Sequence, residues 1–268
     1  MNDSNTMLVV SDRFANLCSI DGVIAYSTLI GHLLRKDRDL TQKRFVITQG
    51  LQPSQIKAQQ DARHGTEISC PFHVPADRSL VHKAQQHNVL ITTPTHANDG
   101  MYKAKLLFDE RCAEMSDHVT STHVPGILLF EAGRQMMIAG ATLHWSSDIK
   151  EGSHFFTFDE AKIRYYQFSM PFEVDIHLEL NGTNADPRGI VVADMVVRFW
   201  QLGSRVCEME CRGRAYPTSW FSRVETRKAT SVAKETMLAH THAGARERYG
   251  NADSFGIFAM ASSQESAK

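Results

Sequence analysis

The chain has 268 residues, of which 42% are hydrophobic and 22% are charged, a composition typical of a globular protein with one sizeable core. Lysine and arginine total 29 against 30 for aspartate and glutamate, so composition argues against nucleic acid or an anionic membrane as a partner. The amino-terminal segment MNDSNTMLVVSDRFANL lacks the features of a signal peptide, and no run of about eighteen apolar residues occurs. We therefore expect a cytoplasmic protein that does not span a membrane.

The first 75 residues are interpreted as an amino-terminal extension of unknown role. Within it, VIAYSTLIGHLLRK (23–36) has helical periodicity and RFVIT (44–48) resembles a short strand, whereas QPSQIKAQQDARHG is interpreted as a polar connection. NVLIT (88–92) and MYKAKLLF (101–108) have the pattern of strands, and the turn residues of THANDG between them predict a hairpin.

A long apolar helix is expected next, with Pro125 in its first turn and its end near residue 145. Only strands are predicted after it, at 155–168, 174–180, 190–200 and 205–216. This order predicts an α+β hotdog fold, in which a curved antiparallel sheet wraps round one long central helix. The domain is expected to cover residues 76–220, and residues 221–268 to form a peripheral helix and a flexible tail.

Five cysteines form no CxxC pair, and Cys207 and Cys211 alternate with charged residues as they would on a strand with one buried face. The thirteen histidines show no HxxxH motif and no paired Cys/His spacing. The sequence therefore predicts no disulfide framework, no metal site and no cofactor.

The predicted helix carries polar residues inside an apolar stretch. Glu131, Arg134 and Gln135 fall within about a quarter-turn of one another at 100° per residue, while Gly133 and Gly140 lie on the opposite side. Each glycine costs about 1 kcal/mol of helix propensity relative to alanine, so the pair predicts close packing against the sheet. The polar residues are either an internal ion pair or part of a site.

Two histidines, His118 and His123, precede this helix in the stretch DHVTSTHVPG. Unpaired amides at a helix start can stabilise negative charge, so an imidazole base, the Glu131 carboxyl and these amides would suit the chemistry of a thioester carbonyl. Each histidine alone is equally compatible with a capping or surface position.

The stretch HVPGILLFEAGRQ (123–135) resembles the HxPGxxLxEAxRQ signature of the A-factor biosynthesis (AfsA-type) hotdog family, and LVHKAQQHNVLIT (80–92) is similar to a second motif of that family. The resemblance covers about residues 80–215. It implies an acyl-thioester enzyme that transfers a β-ketoacyl group from acyl carrier protein to the hydroxyl of dihydroxyacetone phosphate, in the biosynthesis of γ-butyrolactone-type signals.

The signature is in turn similar to that of β-hydroxyacyl-carrier-protein dehydratases, in which a loop histidine and a helix glutamate act across a dimer interface. This likeness implies that His118 or His123 is the base, that Glu131 is the acid and that the Gly126 amide holds the thioester carbonyl. Arg134 and Gln135 are then candidate substrate-binding residues, and Arg134 is equally explained as the ion-pair partner of Glu131.

Two other functions remain open at this point: dehydration or hydration of a 3-hydroxyacyl thioester, and non-catalytic binding of an acyl chain or carrier protein. Glu131 does not favour the binding module, because a purely apolar pocket would gain from an apolar residue at this position. Because the chain has one signature where well-known members carry two hotdog repeats, we expect a homodimer formed through edge strands or helix faces.

Overall fold

The computed structural model describes residues 5–35, 43–62, 67–69, 74–119, 121–150 and 152–241. The strands, in chain order, are β1 Thr6–Val10, β2 Val23–Ala25, β3 Arg44–Ile47, β4 Glu67–Ser69, β5 Thr95–His96, β6 Tyr102–Lys105, β7 His154–Tyr165, β8 Asp175–Gly182, β9 Val191–Gln201 and β10 Ser204–Pro217. The α-helices are α1 Tyr26–Arg35, α2 Pro53–Ala62, α3 Ala113–Ser116, α4 Gly126–His144 and α5 Thr218–Thr241. Two 3-10 helices cover Asp12–Ser19 and Gln86–Asn88.

The larger sheet is antiparallel, has six strands in the order β5-β6-β8-β9-β10-β7, and packs on α4. Its core positions follow the alternation in the sequence: Ile176 and Leu178 are fully buried on β8, and Cys207 and Met209 on β10. Most of α4 is buried between Leu128 and Ala141. The predicted hotdog fold, with a curved sheet round one long helix, is therefore confirmed.

Two of the three glycines of α4, Gly133 and Gly140, lie where the sheet comes closest. A Cβ atom on Gly133 would stand 2.9 Å from the Met209 sulfur, and one on Gly140 would overlap a methyl carbon of Leu178. A side chain at either position would require Met209 or Leu178 to move, so the two glycines let the helix lie directly on the sheet.

The segment 88–92 differs from the prediction. Instead of a regular strand it forms isolated bridges, one of them from Ile91 to Leu106, while the hairpin is made by β5 and β6. The reason is a side chain of α4: the Gln135 amide donates to the carbonyl of Asn88 at 2.8 Å and accepts from the amide of Leu90 at 2.8 Å. These backbone groups are bound to the helix and do not all take part in a strand ladder.

The amino-terminal residues form a small α/β unit with its own four-stranded parallel sheet, in the order β2-β1-β3-β4. The strand predicted at 44–48 is confirmed as β3. The helix predicted at 23–36 is confirmed from Tyr26 to Arg35 as α1, but residues 23–25 form β2 instead. The polar connection predicted at 52–65 was wrong, because residues 53–62 form α2, which starts at Pro53 and packs Ile56 against the core of this unit. Residues 63–65 lie outside the described residues.

The predicted peripheral helix is present as α5 and begins earlier than expected, directly after β10. Trp220 stacks on Tyr216 and Phe221 stacks on Phe155, which fixes its first turns, whereas residues 222–238 are exposed. The predicted tail lies outside the described residues. In the described part of the chain, no helix has both the length and the hydropathy needed to cross a membrane.

Candidate active site

A cavity of about 450 Å³ opens at the amino-terminal end of α4. Its size falls within the range of about 300–1,000 Å³ common for small-molecule sites. The lining residues come from the loop before α4, the first turns of α4, and the end of β7 with the segment that follows: His123, Val124, Gly126, Leu129, Tyr165, Tyr166, Gln167, Phe168 and Ser169. The cavity therefore joins a mainly apolar wall to the start of a helix.

Gly126 is the first residue of α4, and Pro125 before it provides no side-chain cap. The Tyr165 hydroxyl donates to the carbonyl of Gly126 at 2.7 Å, and a Cβ atom on Gly126 would stand 2.9 Å from the ring of that tyrosine. With glycine at this position the aromatic ring can lie directly over the helix start, and any larger residue would require the ring to move. Amides in the first turn of a helix have no intrahelical acceptor and can bind negative charge at this wall.

The two candidate bases lie in different surroundings. His123 is half-buried, lines the cavity and packs its ring 4.8 Å from that of Phe168. His118 is exposed on the surface loop, where its carbonyl accepts a hydrogen bond from the Arg13 guanidinium. Of the two, only His123 is among the residues that line the cavity.

Glu131 is held by several donors. Arg134 binds both carboxylate oxygens, each at 2.7 Å, Lys83 reaches one of them at 2.7 Å, and Gln135 donates to the same oxygen at 3.0 Å. Burial by itself would raise the pKa of this carboxyl, but the hydrogen bonds and charge of Arg134, with the hydrogen bonds of Lys83 and Gln135, outweigh it and lower the pKa from 4.5 to about 2. Glu131 is therefore ionised at neutral pH, and two donors of Arg134 are engaged by it.

Lys83 and its neighbour His82 were missed as site residues, although both belong to the quoted motif LVHKAQQHNVLIT. His82 has a positive φ of 56°, rare for a residue with a side chain, and its ring packs on that of Phe156 at 5.4 Å. Burial, with a smaller effect of the Arg134 charge, lowers the pKa of His82. The motif LVHKAQQHNVLIT contained both residues, but no local spacing relates Lys83 to Glu131, which already had Arg134 as a predicted partner on the same helix.

The cavity and the Glu131 cluster lie on different faces of α4. Leu129 faces the cavity, and Glu131, two positions later, is rotated by about 200° at 100° per residue. The carboxylate is directed to Lys83 and Gln135, and Gln135 in turn is bound to the segment 88–90. Within one chain, the structure thus groups Glu131, Arg134 and Gln135 in one place, and His123 and Gly126 in another.

Among the described residues, no group of three or more His, Cys, Asp or Glu side chains has the arrangement of a metal site. Cys207 and Cys211 are buried on the core face of β10, and burial raises the pKa of both thiols to about 12. They are consequently poor nucleophiles at neutral pH.

Comparison with solved structures finds several matches of low sequence identity. A conserved protein from Pseudomonas aeruginosa has 19% identity over 53% of this chain and 98% of that chain, with a TM-score of 0.35. A dehydratase heterocomplex from Xenorhabdus doucetiae has 15% identity over 57% and 98% of the two chains, with a TM-score of 0.43. A mutant thioesterase from Pseudomonas aeruginosa has 13% identity over 54% and 96%, with a TM-score of 0.37.

A comparison with curated proteins finds no significant match. The model of the A-factor biosynthesis hotdog domain matches residues 65–217, which is more than half of the chain. That match contains both motifs quoted above, the cavity and the whole six-stranded sheet. The chain therefore belongs to the A-factor biosynthesis (AfsA) hotdog family.

Proposed function

We propose that this protein is an acyl-thioester enzyme that transfers a β-ketoacyl group from acyl carrier protein to a hydroxyl acceptor such as dihydroxyacetone phosphate. The observation that carries the proposal is the cavity, because it combines an apolar wall for an acyl chain with a histidine and a helix start. The membership of the family and the two motifs support the same class of reaction.

In the proposed reaction, His123 takes the proton of the acceptor hydroxyl as its oxygen attacks the thioester carbonyl. The amides of the first turn of α4, at Gly126, stabilise the oxyanion that forms. When the tetrahedral intermediate collapses, the C–S bond breaks, the carrier thiolate leaves, and the imidazolium returns the proton to the sulfur. The products are an ester and the free carrier thiol, and no cofactor takes part.

The state of Glu131 favours transfer over the alternative, dehydration. A dehydratase of this type needs a protonated carboxyl to give a proton to the departing hydroxyl. Glu131 has a pKa of about 2 and accepts hydrogen bonds from Arg134, Lys83 and Gln135. We assign it a positioning role, in which it holds Arg134 and Lys83 in fixed orientations; in the dimer proposed below they would face the cavity of the partner.

We further propose that the active form is a homodimer joined along β7. In the described sheet this strand pairs only with β10, so its other edge is open. A two-fold axis makes the paired edge strands antiparallel, which brings the Phe156 end of one next to the Tyr165 end of the other. His82 contacts Phe156 and is the neighbour of Lys83 in the Glu131 cluster, and Tyr165 lines the cavity. The Glu131 cluster of one protomer would then face the cavity of its partner.

The test is mass spectrometry of the products after incubation with a β-ketoacyl and a 3-hydroxyacyl carrier-protein thioester, each with and without dihydroxyacetone phosphate. We expect the triose-phosphate ester from the β-ketoacyl thioester, its loss in His123→Ala, and its retention in His118→Ala. Glu131→Ala should also lose it while the fold is kept, as checked by circular dichroism. An enoyl product would establish dehydration, and ligand binding without turnover would establish a binding module.

The oligomer has its own measurement, sedimentation of the purified protein at micromolar concentration. A dimer that becomes a monomer when a proline is placed in the middle of β7, as in Lys162→Pro, supports pairing along this edge. A monomeric wild-type protein that still transfers the acyl group would contradict the proposed dimer.

A further inference from the structure

The amino-terminal α/β unit is attached to the hotdog domain at the carboxyl edge of its parallel sheet. In open α/β sheets this edge is the usual ligand crevice. Here the hotdog chain fills it: the buried Gln49 donates to the carbonyl of Leu106 at 2.8 Å and accepts from the amide of Phe108 at 3.3 Å. The Gly50 amide also donates to the carbonyl of Phe108 at 3.1 Å. The crevice therefore serves as an internal interface.

The two parts also share a hydrophobic core. Four apolar residues of the amino-terminal unit belong to the same buried cluster as the residues of the hotdog sheet: Val10, Phe14, Leu17 and Val23. The ring of Phe14 meets that of Phe108 edge to face, with 6.2 Å between the centroids. Such an interface resists separation because these buried side chains would be exposed to water.

The 3-10 helix Asp12–Ser19 extends from this interface to the loop that precedes α4. Asp12 fixes its start by accepting hydrogen bonds from the amide and hydroxyl of Ser27, at 3.1 and 2.7 Å. From this helix the Arg13 guanidinium donates to the carbonyl of His118, and the Asn16 amide donates to the Ser121 hydroxyl at 2.7 Å. Two side chains of the amino-terminal unit thus bind the segment that leads to the cavity.

We propose that Arg13 and Asn16 are positioning residues, which hold the segments 117–119 and 121–125 so that His123 faces the helix start of α4. This assigns a function to the amino-terminal unit: it is a fixed support for the active-site loop. An effect of these residues on catalysis rests on the proposed acyl transfer, whereas their effect on the order of the loop does not. Neither residue lines the cavity, so each acts through the loop backbone or Ser121.

The experiment compares Arg13→Ala and Asn16→Ala with the wild type in the full-length protein. Hydrogen exchange reports on the loop through two amides, His118, which donates to Met115 at 3.2 Å, and Val124, which donates to Ser169 at 2.8 Å. We expect about tenfold faster exchange of these amides in each variant, because an anchoring hydrogen bond is lost. For acyl transfer we expect kcat to fall about tenfold in each variant, while KM stays within about twofold of the wild-type value. The reason is that the chemical step depends on the position of the loop more than substrate binding does.

Arg44→Ala is the matched control, because Arg44 lies at the opposite end of β3 and makes an exposed ion pair with Glu67 at 3.2 Å. It should leave both exchange and kcat unchanged. Arg13→Lys, which keeps a charged donor, should restore most of kcat, as a purely destabilising effect would not.

Unchanged exchange in both alanine variants overturns the proposal, and so does faster exchange with undiminished kcat. If the wild type transfers no acyl group, the proposed function fails, while faster exchange confined to 117–125 still supports the role of Arg13 and Asn16. The proposal is also overturned if the alanine variants exchange faster across the whole hotdog sheet and Arg13→Lys does not recover kcat.

Discussion

Replacement of Glu131 by glutamine removes the negative charge that Lys83 and Arg134 share. The pKa of this carboxyl falls from 4.5 to about 2 on folding, and its side chain is only 13% exposed, so solvent screens the interaction little. A shift of this size corresponds to about 3 kcal/mol of stabilisation at pH 7. We therefore expect Glu131→Gln to lower the free energy of unfolding by about 3 kcal/mol at pH 7.

The pH dependence provides a second, independent signature. A carboxyl with a lowered pKa in the folded state contributes its full stabilisation above its unfolded pKa, and loses it as the pH falls through the folded value. The difference between wild type and Glu131→Gln should therefore narrow to about 2 kcal/mol at pH 3.5 and continue to fall towards pH 2. Urea unfolding followed by tryptophan fluorescence, at fixed ionic strength, measures both values.

Glu179→Gln is the matched control, because Glu179 pairs with Arg198 at 3.1 Å but is 45% exposed. A surface pair of this kind contributes less than about 1 kcal/mol. The conclusion that Glu131 is an ionised, paired carboxylate would be refuted by either of two results. One is an equal loss of unfolding free energy in the two variants at pH 7; the other is a stability difference between wild type and Glu131→Gln that stays constant as the pH falls.

Three further predictions concern the core and the cavity. Gly126→Ala should abolish acyl transfer with a small change in Tm, because the added methyl displaces the ring over the helix start; full activity would contradict this. Gly140→Ala should cost about 1–3 kcal/mol by overpacking, and Leu178→Ala should recover part of it in the double variant, as measured by urea unfolding. Iodoacetamide at pH 8 should label the exposed Cys18 and spare Cys207, whose pKa of about 12 keeps it protonated; peptide mapping by mass spectrometry checks this.

The hotdog domain could be predicted largely because its signals are local. Alternating apolar residues mark β8, and turn residues such as Gly203, with a φ of 76°, mark the hairpin between β9 and β10. The paired Gly133 and Gly140 predicted close approach of helix and sheet, and the contacts with Met209 and Leu178 are the result.

The amino-terminal unit could not be predicted in the same way. Only β3 and α1 were expected from their patterns. The strands of the unit have three to five residues, and such short segments give a weak periodic signal. The sequence of α2 is mostly polar and shows little helical spacing of apolar residues. The helix is stabilised by the packing of Ile56 against the core of the unit, which exists only once the unit has assembled. Parallel pairing adds no turn signal, since neighbouring strands are joined by long connections.

The sequence by itself determined the hotdog fold and the residue types of the candidate site, because periodicity, glycine spacing and the EAGRQ motif act over a few turns of chain. Tertiary structure decided how those residues are used. Lys83, far from Glu131 in sequence, completes its ion pairs and helps to keep it charged. Arg13, in a 3-10 helix of the amino-terminal unit, donates to the carbonyl of His118. The energy of a buried charge depends on every group packed round it, and that surrounding exists only after distant segments have come together.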